Sequence, residues 1–181
     1  MRSNGLLVTG FGPYPGHDEN PSQRLAESCG CRFEILEVSF RAVDEFLESL
    51  DPSSFDLWLA IGVVGKGETM LVETVGHNRI GKTPDARGEI HGPGKIDPAG
   101  HAMLASTLWS PELLGENDVR KPSTDPGGYL CNYVLYRALQ RFPDKRIGFL
   151  HVPKFEHIPF DVQLEELQAM VEELSMVSVD Q

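Results

Sequence analysis

An unbroken apolar run at residues 57–62 places the tightest constraint on how this chain can fold. The run contains no charged side chain and has the length of a β-strand. A strand that is apolar at every position, rather than at every second one, is typical of a parallel sheet that helices cover on both faces. The run therefore predicts an α/β fold around a central, mainly parallel sheet.

Segments of strand and helix character alternate along the rest of the chain. The predicted strands are residues 6–10, 33–39, 70–75 and 146–152, and the predicted helices are residues 21–28, 42–50, 100–109, 131–142 and a C-terminal helix that begins near residue 160. Residues 81–98 are rich in Gly, Pro and charge and predict a long functional or mobile loop. The alternation predicts a single-domain, three-layer α/β/α sandwich with a mainly parallel, mixed sheet that spans residues 1–181.

The charge of the chain argues against two classes of partner. It carries 27 acidic and 16 basic residues, a formal net charge of −11 at pH 7. Such a chain offers no basic surface to a phosphate backbone or an anionic bilayer, so we expect neither nucleic-acid nor membrane partners. The apolar stretch near the N-terminus is too short for a signal-peptide core or a membrane span. We therefore expect a cytoplasmic protein.

The cysteines and most of the histidines show no metal-site spacing. Three cysteines are more typical of reduced thiols than of a disulfide framework, and the pair Cys29 and Cys31 lacks further ligands at zinc spacing. The remaining histidines also lack the spacing of a helical metal motif. We predict no cofactor and no metal, and we assign surface or loop positions to His17, His77, His91, His101 and His157.

Three residues suggest a cysteine hydrolase. Cys131 follows a glycine pair at the start of a predicted helix, where unpaired amides and the helix dipole favour a thiolate. His151 lies at the carboxyl end of a predicted buried strand, the edge at which open α/β sheets collect functional groups. Glu73 is an acidic residue in an apolar strand and is the candidate to orient the imidazole.

Each of these residues also has a plain structural interpretation. A cysteine at a helix start or a histidine at a strand end often only packs in the core. Glu73 could be a residue of an edge strand that faces water. The spacing alone leaves the enzymatic and the structural interpretations equally open.

Three pairs of motifs occur in a characteristic order. Residues 8–14 contain a Thr-Gly-Phe loop, and residues 20–22 contain an Asn-Pro-Ser turn. Residues 62–78 begin with a Gly-x-x-Gly segment and include Glu73. Residues 128–132 contain the cysteine, and residues 149–153 contain the histidine. Together they resemble the pyroglutamyl peptidase I family, or pyrrolidone-carboxylate peptidases, over nearly the whole chain. The resemblance implies a cytosolic, cofactor-free cysteine exopeptidase that removes N-terminal pyroglutamate from peptides.

The resemblance also implies roles for individual residues. Cys131 would be the nucleophile, His151 the general base and then acid, and Glu73 the residue that orients His151. In the family, two aromatic rings enclose the pyrrolidone ring, and an apolar slot suits a flat, uncharged lactam. The positions expected to bind substrate are Phe11, Tyr14, Val63, Lys82, Tyr129 and Leu130.

The chain departs from the family pattern at several of its positions. Val63 and Val64 stand where the family commonly has a glutamine, and Thr74 stands where a basic residue is usual. Either Lys82 or Arg87 replaces a family arginine. Loss of hydrogen bonds to a substrate amide changes selectivity by orders of magnitude.

These departures leave two alternatives to the exopeptidase open. One is a cysteine amidohydrolase that acts on another small acyl or lactam compound, and the other is a non-catalytic binding protein with the same fold. The expected partner is a peptide or a small amide substrate. A homo-oligomer, either a dimer or a tetramer, is the expected assembly.

Overall fold

A computed structural model of the chain describes residues 5–177; the ends of the predicted domain, residues 1–4 and 178–181, lie outside this range. Its elements in chain order are β1 (Leu6–Phe11), α1 (Pro21–Ser28), β2 (Arg32–Leu36), α2 (Phe40–Ser49), β3 (Leu57–Val63), β4 (Met70–Glu73), β5 (Val75–His77), β6 (Met103–Ala105), β7 (Arg120–Ser123), α3 (Leu130–Arg141), β8 (Arg146–Val152) and α4 (Phe160–Val177). Within residues 5–177, none of the helices is both long and apolar enough to span a bilayer.

The central sheet is mixed and mostly parallel. Its six strands follow the order β2-β1-β3-β8-β4-β7, and β5 pairs with β6 in a separate antiparallel ribbon. The first four strands of this order are mutually parallel, whereas β4 is antiparallel to β8 and parallel to β7. The predicted α/β class with a mainly parallel, mixed sheet is therefore confirmed.

Strand β3 lies in the middle of a three-layer arrangement. Trp58 and Ala60 pack into the core on the side of α2 and α3, whereas Leu57, Leu59 and Ile61 pack into the core on the side of α1 and α4. Alternate side chains of a strand point to opposite faces, so a strand covered by helices on both sides must be apolar throughout. This arrangement accounts for the apolar run from which the fold was predicted.

Helix α1 packs against β1 at very short range. The Asn20 side chain caps α1 by accepting a hydrogen bond from the Ser22 amide at 3.0 Å, and its amide group donates to the Gly12 carbonyl at 3.0 Å. The Ser22 hydroxyl accepts a hydrogen bond from the Phe11 amide at 3.0 Å. These contacts fix the loop that follows β1 at the carboxyl edge of the sheet.

The helix predicted at residues 100–109 is wrong, because this segment contains the short strand β6. Leu104 and Leu108 have the spacing of a helical face, yet Leu104 packs on the α3 side of the sheet and Leu108 on the α4 side. The backbone of this segment forms hydrogen bonds with other strands instead of within a helix. Leu104 pairs with Gly76 of β5, and the Thr107 amide donates to the Ile147 carbonyl of β8 at 3.0 Å. The segment is therefore extended, and its side chains pack into the core on both sides of the sheet.

The predicted strand at residues 70–75 is divided at Thr74, and β7 was not predicted at all. Both the amide and the hydroxyl of Thr74 donate to the Ser123 carbonyl, at 2.8 and 2.9 Å, so the chain turns from β4 into β5. Strand β7 is polar and contains Pro122, which is tolerated because the strand lies at the sheet edge. It therefore carries no apolar signal.

The boundaries of β2 and α2 also differ from the prediction. Strand β2 ends at Leu36 rather than at residue 39, because the Ser39 side chain accepts a hydrogen bond from the Ala42 amide at 3.4 Å and caps α2. Helix α2 consequently begins at Phe40, two residues earlier than predicted. A serine before an apolar periodic segment is a helix-start signal, and here it outweighs the strand character of the preceding residues.

The contact between β1 and α1 predicts that Gly10→Ala destabilises the protein. A Cβ atom at this position would lie 2.5 Å from the Ser22 carbonyl oxygen, so helix and strand would have to separate. We expect the free energy of unfolding to fall by on the order of 3 kcal/mol. Urea denaturation followed by circular dichroism measures this change.

Gly12→Ala is the matched control. Its added Cβ would meet its nearest neighbour, Ile35 Cγ2, at 3.6 Å, an ordinary contact distance. We expect a change of less than about 1 kcal/mol for this variant. Equal destabilisation by the two substitutions would contradict the proposed tight contact at Gly10.

Candidate active site

Cys131 lies at the start of α3, against the backbone of β3. It is the second residue of α3, and Tyr129 at the N-cap makes no side-chain hydrogen bond to the first turn. A Cβ atom built on Gly62 would lie 2.7 Å from Cys131 Sγ and 2.6 Å from Phe149 Cζ. The sulfur thus occupies the space that a side chain at position 62 would fill.

The same contact brings the sulfur next to His151. Gly62 and His151 are register partners on the parallel strands β3 and β8. Adjacent strands lie ~4.8 Å apart, and residues paired in this way direct their side chains to the same face of the sheet. The Cys131 thiol and the His151 imidazole are therefore neighbours on the α3 side of the sheet edge.

Glu73 binds the other side of the imidazole. Its Oε1 lies 2.7 Å from His151 Nδ1, and the Glu73 residue has no exposed surface. The Trp109 indole N–H donates to the backbone carbonyl of Glu73 at 2.8 Å and holds the end of β4 in place. With Nδ1 bonded to the carboxylate, Nε2 is the ring atom left for Cys131.

The charges around His151 change its pKa strongly. Burial on its own lowers the pKa, but the charge and hydrogen bond of Cys131 and those of Glu73 outweigh burial and raise the pKa to about 10. The His151 imidazole is therefore held in its protonated form at neutral pH, beside the Cys131 sulfur. Burial, and next the charge of Cys131, also raise the pKa of Tyr14, so this phenol stays neutral.

A cavity of about 630 Å³ opens beside Cys131. Five of the six residues expected to bind substrate line it, namely Phe11, Tyr14, Val63, Tyr129 and Leu130.

Lys82 is exposed and lies outside the lining, although its neighbours Thr83 and Pro84 belong to it. Arg87, the alternative to Lys82, is bound to the Glu37 carboxylate through two contacts of 2.7 and 2.6 Å. The structure therefore places neither cation in the cavity wall.

Asp85 shapes one wall of the cavity and was not predicted. Its carboxylate accepts hydrogen bonds from the amides of Phe40 at 3.0 Å, Arg87 at 2.9 Å and Glu89 at 2.9 Å. Burial raises the pKa of Asp85, but these backbone donors outweigh it, and the pKa is lowered. The signal in the sequence was the Pro-Asp turn followed by a glycine, which is typical of a side chain that binds its own loop.

Tyr129 joins the same wall to the start of α3. Its hydroxyl donates to the Pro84 carbonyl at 3.0 Å. Burial, with smaller contributions from the charges of Asp85, Cys131 and Tyr14, raises the pKa of Tyr129 to about 12. The hydroxyl therefore remains a donor throughout the neutral range.

Asn132 fastens the start of α3 to the end of β5 and to the residues that follow it. Its side-chain oxygen accepts a hydrogen bond from the His77 amide at 2.8 Å, and its amide group donates to the carbonyls of His77 at 2.8 Å and Arg79 at 2.9 Å. The residue is fully buried. A lone asparagine in an apolar helix, directly after the cysteine, was the available signal. It positions Cys131 through the backbone.

The described part of the chain holds no cluster of three or more His, Cys, Asp or Glu side chains that would bind a metal ion. All three cysteines are free thiols. The chemistry that this arrangement can perform is thiolate attack assisted by a protonated imidazole.

Comparison with known proteins identifies the family to which the chain belongs. The model of the pyroglutamyl peptidase family matches residues 4–176. Pyrrolidone-carboxylate peptidases of Pyrococcus furiosus and Staphylococcus aureus are 30% and 31% identical to this chain over 167 residues; each match covers 82% of this chain, and 80% and 78% of the relatives.

Solved structures give the same result. The crystal structure of pyrrolidone carboxyl peptidase from Thermus thermophilus superimposes with a TM-score of 0.82 at 28% identity, covering 92% of this chain and 98% of that one. The enzyme from Thermococcus litoralis superimposes with a TM-score of 0.81 at 22% identity, covering 98% and 95%, and so supports the fold alone. The chain belongs to the pyroglutamyl peptidase family and is a cysteine peptidase.

Proposed function

We propose that this protein is an exopeptidase that removes pyroglutamate from the N-terminus of peptides, with Cys131, His151 and Glu73 as its triad. The observation that carries the proposal is the position of the buried His151 between the Glu73 carboxylate and the Cys131 sulfur, with Cys131 lining the 630 Å³ cavity. Membership of the pyroglutamyl peptidase family supports the choice of substrate.

In the first half of the reaction, the Cys131 thiolate attacks the carbonyl carbon of the pyroglutamyl amide. The negative charge that develops on the carbonyl oxygen is stabilised by amide donors at the start of α3, where the helix dipole is positive. His151 then gives its proton to the departing amine, so that the C–N bond breaks and a thioester remains on Cys131.

In the second half, water hydrolyses the thioester. His151 is neutral after the first half and removes a proton from the water molecule while the oxygen attacks the thioester carbonyl. The C–S bond breaks, free pyroglutamate leaves, and the proton on His151 restores the thiolate–imidazolium pair. Glu73 keeps the ring in one orientation during both transfers through its 2.7 Å contact with Nδ1.

The cavity wall supports the binding of a flat, uncharged acyl group. Phe11, Tyr14 and Leu130 provide apolar surface near the sulfur, and the raised pKa of Tyr14 keeps its hydroxyl neutral. Aromatic rings on a flat ring contribute on the order of 1 kcal/mol beyond the area that they bury. A pyrrolidone ring meets these conditions.

The direct test is hydrolysis of a fluorogenic pyroglutamyl amide. We expect turnover by the wild-type protein and a loss of at least ~10³-fold in kcat for Cys131→Ala, because the variant lacks the nucleophile. Release of the fluorophore measures both rates. Cys31→Ala is the matched control, since Cys31 is a half-buried thiol outside the cavity lining. Failure of well-folded wild-type protein to release the fluorophore, at every pH between 5 and 10, would refute the substrate assignment.

The raised pKa of His151 predicts the alkaline limit of activity. The imidazolium is present below a pKa of about 10 and is lost as the pH rises through that value, so kcat/KM falls there. Glu73→Gln removes a charge that raises this pKa. We expect the alkaline limb of the kcat/KM profile to move to lower pH by ~1 unit or more in the variant.

The pH profile also separates the role of Glu73 from simple destabilisation. A variant that only loosened the fold would lower kcat/KM at all pH values and leave the midpoint of the alkaline limb in place. Circular dichroism of Glu73→Gln across the same pH range serves as the control. An unchanged midpoint would exclude the proposed effect of Glu73 on His151.

A second candidate function keeps the triad and changes the acyl group. Val63 and Gly65 line the cavity and provide no side-chain amide that could recognise the lactam of pyroglutamate. This observation favours a cysteine amidohydrolase for another small acyl or lactam compound. Rapid alkylation of Cys131 by iodoacetamide, together with no turnover of pyroglutamyl amides, is the result expected for such an amidohydrolase.

The same alkylation experiment distinguishes the third alternative. A Cys131 no more reactive than a thiol in the denatured chain would indicate a non-catalytic binding protein.

A further inference from the structure

A second cavity, of about 240 Å³, lies next to the first. The two cavities share Tyr14 and Val63, which form the wall between them. The other residues that line the second cavity are His17, Glu19, Pro21, Lys154, Phe155 and Glu156. None of these six residues lines the first cavity, and the proposed reaction does not use them.

The second cavity lies across the sheet edge from Cys131. Strand β3 runs between β1 and β8, and Val63 is its last residue. Gly62 and His151 face α3, whereas Val63 packs with the core on the α1 and α4 side. The segment from the end of β1 to Pro21 and the loop after β8 flank the end of β3 and line the cavity.

We infer that the second cavity binds the side chain of the residue that follows pyroglutamate in the substrate, and that it favours a large, uncharged side chain. The inference rests on the proposed function. With the acyl group in the first cavity and its carbonyl at Cys131, the departing amine must meet His151. The loop that continues from β8, the strand of His151, provides Phe155, so the leaving peptide passes Val63 toward this ring.

The aromatic walls of the second cavity are held in place before any ligand arrives. Phe155 is half-buried and packs edge-on against Phe160 with ring centroids 5.4 Å apart, and the Arg24 guanidinium lies 4.1 Å from the centre of the Phe160 ring. On the other side, the rings of Tyr14 and His17 stack at 4.4 Å. Side chains that are already ordered lose little entropy on binding, so an apolar ligand gains most of its contact energy.

The charged groups of the second cavity already have partners. Glu19 forms an ion pair with Arg24 at 3.2 Å, and Glu156 lies 4.0 Å from Lys154. A charged substrate side chain would have to compete with these pairs, whereas an apolar one needs only the faces of Phe155 and Val63. The lining therefore favours phenylalanine or leucine over glycine and over aspartate at the second position of the substrate.

The test compares pyroglutamyl-phenylalaninamide with pyroglutamyl-glycinamide, with chromatographic measurement of the released pyroglutamate. We expect the wild-type kcat/KM to be about tenfold higher for the phenylalanine substrate, as for a partly buried side chain. For Phe155→Ala we expect this ratio to fall below about threefold. A structural role of Phe155 alone would lower the two kcat/KM values together and leave the ratio unchanged.

Phe33→Ala is the matched control. Phe33 is 41% exposed on β2 and lines neither cavity, so the same substitution there should leave the ratio at the wild-type value. A wild-type ratio near one, or an equal loss for both substrates in Phe155→Ala, would overturn the inference while leaving the proposed function intact.

Absence of turnover for both substrates would refute the proposed function. A binding measurement then tests separately whether the second cavity prefers a large, uncharged side chain. Cys131→Ala protein is titrated with L-phenylalaninamide and with glycinamide, and NMR shifts of resonances near Phe155 are followed. We expect saturable shifts with phenylalaninamide at concentrations at which glycinamide causes none. Equal responses to the two amides would overturn the inference.

Discussion

The buried contact between Glu73 and His151 is the interaction on which the site depends. A carboxylate without exposed surface is strongly destabilising unless an opposite charge or hydrogen-bond donors compensate for its lost hydration. The His151 imidazolium provides an opposite charge at 2.7 Å from Oε1 of Glu73. The contact requires β4 beside β8, and the antiparallel direction of β4 places its last residue, Glu73, opposite Phe149, within reach of the ring. The change of strand direction between β8 and β4 thus brings the Glu73 carboxylate to His151.

Close backbone approaches account for the glycines of two motifs. Gly10 allows α1 to touch β1, and this contact fixes Phe11 at the end of β1 and the following loop that carries Tyr14. Gly62 leaves room for the Cys131 sulfur above β3. In both places the start of a helix can approach the strand closely because glycine has no side chain. The two glycines therefore affect the site only through packing.

The sequence allowed much of the fold to be predicted, because the buried strands are apolar at every position and the helices show regular apolar spacing. Strand β3 and helix α3 are examples. The prediction failed where tertiary contacts override local pattern. Leu104 and Leu108 mimic a helix but serve opposite faces of the sheet, and β7 is a polar edge strand that only its pairing with β4 defines.

The site could be predicted in part for a similar reason. Cys131, His151 and Glu73 stand out because their chemistry contrasts with their apolar surroundings, and the structure brings them together. Asn132 binds the backbone of His77, and Asp85 binds the amide of Phe40 as well as two amides of its own loop. Local signals mark these two side chains as unusual but do not reveal the partners that are distant in sequence. Lys82 was chosen by its motif position, which says nothing about the direction in which a loop side chain points.

The hydrogen bonds of Asp85 have a consequence for how this family member can diverge. All three hydrogen bonds that its carboxylate accepts come from main-chain amides, so these contacts do not require particular side chains at the donor residues. Exposed positions such as Ile90 are therefore free to vary while the inner surface keeps its shape. Substitutions at such outer positions are thereby separated from the cavity wall that Asp85 shapes.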